Sequence, residues 1–175
     1  EAHCHIGLDE EAIGFEGADY NEITDPITPQ MRGIDGLNPM DEAFFEAYSH
    51  GVTTAVTGPG SANVVGGTFL AVKLWGRRVD DMVVKNPAAM KIAWGENPKR
   101  CYGKSGKAPM TRMGAAALLR ELLELPVKQK TVIYLHYVEG YQIKEIAEIL
   151  GITEGAVKMR LCRAREQMRL TWGSG

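Results

Sequence analysis

Apolar positions recur at helical spacing most plainly in the last third of the chain. Ile143, Ile146, Ala147 and Leu150 fall on one helix face, Gly151 follows as a stop, and a second periodic run begins after Thr153. Two helices joined by so short a turn make a helix-turn-helix pattern. Thr153 is placed to cap the second helix, and Glu154 puts negative charge at its positive end. With Val157 turned inward, Leu161, Ala164 and Met168 share its face, while Gly155, Lys158, Met159, Cys162 and Arg163 lie opposite, flanked by Arg160 and Arg165. Ala147 is small where the two helices must cross closely.

Upstream the pattern is more varied. Residues 8–39 are acidic, contain glycine and proline, and show little apolar periodicity, which predicts a long loop. Asp41 opens a predicted helix in which Phe44, Ala47 and Tyr48 form the apolar face and Gly51 ends it. The β-branched run 52–57 predicts a strand closing on the turn residues Gly58-Pro59-Gly60-Ser61. Further strands are expected over 64–75, 82–84 and 89–93. A glycine-rich hinge over 102–109 precedes a helix over 111–124, whose buried side is expected to hold Met113, Ala117 and Leu118. Pro126 suits the first position of the helix that follows, since its missing N–H would be unpaired there in any case.

Charge sharpens the division. Eight Lys and Arg against five Glu give +3 over residues 126–172; with the whole chain at −2, the remainder carries −5. A small basic excess on a helix-turn-helix segment fits weak, salt-sensitive contact with nucleic acid. Lys158, Met159 and Arg163 are positioned to face a groove, and Lys144, Arg160 and Arg165 to meet phosphates. No stretch of the sequence is long and apolar enough for a membrane span, and the first residues lack a basic segment followed by an apolar one, so a cytoplasmic protein without membrane contact is expected. Cys4, Cys101 and Cys162 are widely spaced and odd in number, which implies reduced thiols rather than a disulfide framework or a zinc ribbon.

The stretch LPVKQKTVIYLHYVEGYQIKEIAEILGITEGAVKMRLCRAREQ resembles region 4 of bacterial RNA polymerase sigma factors of the extracytoplasmic-function type. The Leu-Pro entry, the apolar helix with Val132, Ile133 and Leu135, the Glu139-Gly140-Tyr141 turn and the VKxRLxRAR helix carry the likeness. The resemblance implies an all-α helix-turn-helix domain over 125–172 that recognises the promoter −35 element and contacts the polymerase core, with no cofactor required. By that reading Lys144, Thr153, Glu154, Lys158, Met159, Arg160, Arg163 and Arg165 form the DNA-binding set. Region 2, which melts the −10 element in that family, has no counterpart in this sequence, so the module is expected to bind DNA without directing initiation alone.

Residues 1–121 resemble part of the amidohydrolase superfamily, imidazolonepropionase-like and dipeptidase-like enzymes included. The carrying stretches are AHCHIG, GVTTAVTGPGSANVVGG, AWGENPKR and TRMGAAALLRE. On a strand, residues two apart share a side, so His3 and His5 could meet one ion; the resemblance implies that they are ligands of a divalent metal, often zinc. Glu1 stands where that family commonly has Asp. The resemblance implies an α/β fragment of an incomplete TIM-type barrel. After Gly51 only His136 remains to supply an imidazole, and it falls in the sigma-like stretch. An N-terminal part without turnover is therefore expected, with open sheet edges favouring marginal stability, a homo-oligomer or a rearranged fold. Gly58-Pro59-Gly60 and Gly66-Gly67 fit no phosphate-binding pattern and are read as turn chemistry. A chain joining two partial families in this way is expected to be a natural fusion, an engineered chimera or a gene-calling or assembly artefact.

Overall fold

A computed structural model describes residues 1–11 and 13–170, apart from the side chains of Val138, Arg165 and residues 167–170. The chain divides into two compact units, Glu1–Ala115 and Ala116–Gly175. The expected inward position of Met168 and the side chain of Arg165 lie outside what is described.

The first unit is built on a three-stranded antiparallel sheet in the order β1-β2-β3, with β1 at Thr54–Thr57, β2 at Val65–Lys73 and β3 at Val83–Ile92. β2 is buried along nearly its whole length, as befits the central strand between β1 and β3. Its C-terminal half pairs with β1, Thr54 opposite Lys73 and Thr57 opposite Leu70. Its N-terminal half is bridged instead by the long loop, Ile27 to Val65 and Arg32 to Thr68. Gly67 makes that crossing possible. Its φ is +109°, and a Cβ there would stand 2.3 Å from the Met31 carbonyl oxygen, so no other residue fits. The N-terminal residues lie parallel to β1: Cys4 N donates to Val56 O at 3.1 Å and Val56 N to Glu1 O at 3.0 Å. Parallel pairing is confined to such isolated bridges.

The expected loop over 8–39 has little regular structure beyond a 3-10 turn at Gly14–Gly17 and a single helical turn, α1, at Gly33–Gly36. It is nevertheless pinned. Buried Asn63 reaches Glu22 O, Asp25 O and Thr28 Oγ1 at 2.6–2.9 Å, and the buried Tyr102 hydroxyl donates to Asp25 O at 2.9 Å. α2, Glu42–Ser49, starts on Asp41, whose carboxylate accepts from Ala43 N at 3.2 Å and from Gly7 N at 3.0 Å. Phe44 enters the core with Leu8, Leu37, Leu70, Val72, Leu74 and Met82, whereas Tyr48, expected on the same face, is exposed.

Two sequence expectations change here. The short strands at 82–84 and 89–93 are one strand, β3, because the pairing skips from Phe69↔Ala89 to Ala71↔Lys85 and absorbs Pro87 in the irregular stretch of an edge strand. Met82 belongs to the helical turn α3, Val79–Met82. A further helix, α4 at Glu96–Gly103, precedes the hinge and contains Tyr102; Pro98 sits in its first turn, where a missing N–H costs nothing.

α5, Arg112–Glu124, contains the boundary between the units. It buries Ala115 and Leu118, but Met113 is 79% exposed rather than packed. α6, Val127–Ile133, takes Pro126 as its N-cap, one position earlier than expected, and continues into a π-helical turn at Tyr134–Val138. Gly140, at φ +78°, carries the turn into α7, Ile143–Leu150. α8, Glu154–Leu170, completes the second unit. Val132, Ile133, Tyr137, Ile146, Ala147, Val157, Leu161 and Ala164 form its core, closed at one end by Leu125. Among the described residues no helix is long and apolar enough to cross a membrane.

Candidate nucleic-acid interface and the histidine pair

The helix-turn-helix is fixed from both sides of its turn. α7 begins in a capping box: Gln142 accepts from the Glu145 backbone, and Glu145 Oε2 accepts from Gln142 N at 2.7 Å. It ends on Gly151 in the left-handed conformation, φ 62°, whose N–H returns to Ala147 and Glu148 carbonyls. α8 then starts on Thr153, whose Oγ1 accepts from Ala156 N at 3.2 Å. Ala147 is buried where α7 meets α8, so the crossing is close.

This frame sets the face that α8 shows to solvent. Val157, Leu161 and Ala164 are buried; Gly155, Lys158, Met159, Cys162 and Arg163 are exposed, and Arg160 is half-buried on the flank. Lys144, Thr153 and Glu154 lie together along a shallow concavity of about 400 Å³ between α7 and the turn. The structure thus gathers the expected residues into two adjoining groups, the turn concavity and the α8 face. For Arg165 it gives only the helical backbone. The Gln142 to Glu145 box was not foreseen, although a Gln-x-x-Glu spacing before an apolar run is its signal.

The histidine pair lies in the first unit. Its ring centroids are 5.1 Å apart at 81°. His5 Nδ1 is 2.8 Å from Gly58 O; a carbonyl only accepts, so Nδ1 carries a proton, and in the neutral ring Nε2 would hold the lone pair. His3 stacks on buried Phe69 at 5.4 Å, and its Nε2 is 2.9 Å from the Lys91 ammonium, which also lies over the Phe69 ring. Burial, followed by the Lys91 charge, holds the His3 imidazole below its ordinary pKa, and burial lowers the Lys91 amine. Sequence reasoning missed Lys91 because it lies 88 residues away in a strand whose irregular register hides its facing. Among the described residues no group of three or more His, Cys, Asp or Glu side chains is placed to hold a metal ion. The described residues thus bring two imidazoles together, one of them accepting from an ammonium.

The chain is similar to known proteins of two kinds. Residues 115–168 match the family model for sigma-70, region 4. The chain is 41% identical over 54 residues to the ECF RNA polymerase sigma factor SigM of Mycobacterium tuberculosis, covering 31% of this chain and 28% of SigM. It is 46% identical over 50 residues to the ECF RNA polymerase sigma factor SigW of Bacillus subtilis, covering 29% and 27% of the two. A separate likeness joins it to amidohydrolase tasK of Hapsidospora irregularis, 37% identical over 136 residues, which is 71% of this chain and 14% of tasK. A crystal structure of an amidohydrolase from Thermotoga maritima MSB8 superposes with a TM-score of 0.72 at 39% identity, covering 93% of this chain and 41% of that one. The chain therefore carries a sigma region 4 likeness and an amidohydrolase likeness together, and spans less than half the length of each of these proteins.

Proposed function

We propose that the second unit binds promoter DNA at the −35 element in the manner of sigma factor region 4, and that it is the working part of the chain. The observation that carries this reading is the solvent face of α8. It presents Lys158, Met159 and Arg163 from a helix capped by Thr153 and backed by Val157, Leu161 and Ala164. A major groove admits one helix, and a helix so backed offers it cations at the N-terminal half, where base edges are reached. Lys144, Arg160 and Arg165 take the phosphates to either side. RNA polymerase core is the protein partner of this reading, and the cytoplasm its compartment. The test is nuclease footprinting of the full chain on a promoter fragment. Protection centred on the −35 element with none at −10 is expected; no protection, or protection without preference for −35, overturns the reading.

The second reading concerns the first unit, which we take for part of an incomplete TIM-type barrel, the N-terminal residues lying parallel to β1 at an isolated bridge. Here His3 and His5 hold a divalent ion weakly and without turnover. The free Nε2 lone pair left by the His5–Gly58 hydrogen bond supports it, since a metal-ligating imidazole is commonly oriented through its other nitrogen. His3 must release Lys91 to take part. Zinc retained by the full chain and lost in His3→Ala/His5→Ala supports this reading; equal zinc content in the two proteins contradicts it.

A further inference from the structure

The first unit carries a surface that neither reading uses. Between the outer face of α2 and the end of β2 runs an open groove of about 990 Å³. Phe44 and Leu74 form its buried floor, and Met40, Phe45 and Trp75 line it while remaining 61%, 68% and 69% exposed. Tyr48 lies against Trp75, the ring centroids 5.3 Å apart and the rings tilted by 36°. Contiguous exposed apolar area of this kind, next to a packed core, marks an interaction surface. Its rim is acidic. Glu11, Glu42 and Glu46 border it, and none of the three has an ion-pair partner among the described residues. Glu42 and Glu46 stand one helical turn apart on α2 on either side of Phe45. Arg77 is the one cation lining the groove among the described residues.

We propose that this groove docks a basic amphipathic helix of a partner protein, its apolar stripe on Phe45 and Trp75 and its Lys or Arg residues against Glu11, Glu42 and Glu46. An apolar floor with a rim of one charge sign selects a helix of opposite sign, because the floor supplies affinity while the rim rejects acidic competitors. The same charge argues against two copies meeting face to face. A two-fold contact brings each patch onto itself and would set these carboxylates against one another.

The experiment uses the full chain and a dye-labelled Leu/Lys peptide with leucines at every third and fourth position, read by fluorescence anisotropy at low salt. A Leu/Glu peptide of the same pattern is the control. Saturable binding of the Leu/Lys peptide is expected, weakened roughly tenfold or more by Trp75→Ala and about threefold by each of Glu42→Gln and Glu46→Gln, with the control failing to bind. These side chains lie outside the core, and circular dichroism of each variant checks its fold. Equal binding of the Leu/Glu peptide overturns the proposal, as does no binding or binding that none of the three changes weakens. Self-association of the chain that Trp75→Ala abolishes assigns the groove to a second copy and equally overturns it.

Discussion

At the scale of the residue, the two kinds of DNA contact proposed for the helical unit separate by what they would read. Arg163 stands exposed on the α8 face opposite buried Val157, whereas Lys144 lies beside the turn, at the edge of the helix pair. A base contact carries sequence information and a phosphate contact does not. Arg163→Ala is therefore expected to weaken binding to a −35-like duplex by about 1–3 kcal/mol and to erode preference over a scrambled one. Lys144→Ala is expected to weaken both duplexes about equally. Competition titrations of the two variants against both duplexes check this, and the opposite assignment would mean that the α8 face is turned differently. Individual residues of this face were legible in the sequence, because a helix phase follows from three or four apolar positions. His3 was legible as a candidate ligand, but its engagement with Lys91 and Phe69 was not, since both arise from strand register across long sequence separation.

At the scale of the element, sequence and structure agree where the signal is local. α7, its Gly151 stop, the Thr153 cap and α8 follow from helical period and capping chemistry, which act within a few residues. β3 was read as two pieces because Pro87 interrupts its pattern, and only the pairing with β2 shows that an edge strand tolerates it there. α4 was missed because its first turn, Glu96-Asn97-Pro98, looks like a loop when the proline is not recognised as harmless. Gly66-Gly67 fall within the strand expected over 64–75 and lie in β2, where they make no turn, and Gly67 lets the long loop cross the strand. The crossing gives a sharp expectation. Gly67→Ala sets a Cβ against the Met31 carbonyl in a backbone conformation that alanine rarely adopts, and should destabilise the sheet unit by about 2 kcal/mol or more. Chemical denaturation followed by a probe in that unit measures it, with DNA binding by the helical unit unchanged.

At the scale of the whole molecule, the chain joins an acidic sheet-based unit to a modestly basic helical one. The division between a mixed α/β part and an all-helical part was legible from the change of hydrophobic period and the charge asymmetry. The arrangement of strands was not: the sheet is antiparallel, with parallel pairing only at isolated bridges, and nothing in local sequence fixes which edges meet. On the proposed reading the helical unit works as a sequence-reading DNA-binding module while joined to the other. It is tested most directly by fluorescence anisotropy of the full chain with a −35-like duplex and a scrambled duplex over a salt series. Tighter binding to the −35-like duplex is expected, with affinity falling against salt at a log-log slope of about −3 for phosphate contacts by Lys144, Arg160 and Arg165. Equal binding of the two duplexes, or none at low salt, would contradict it.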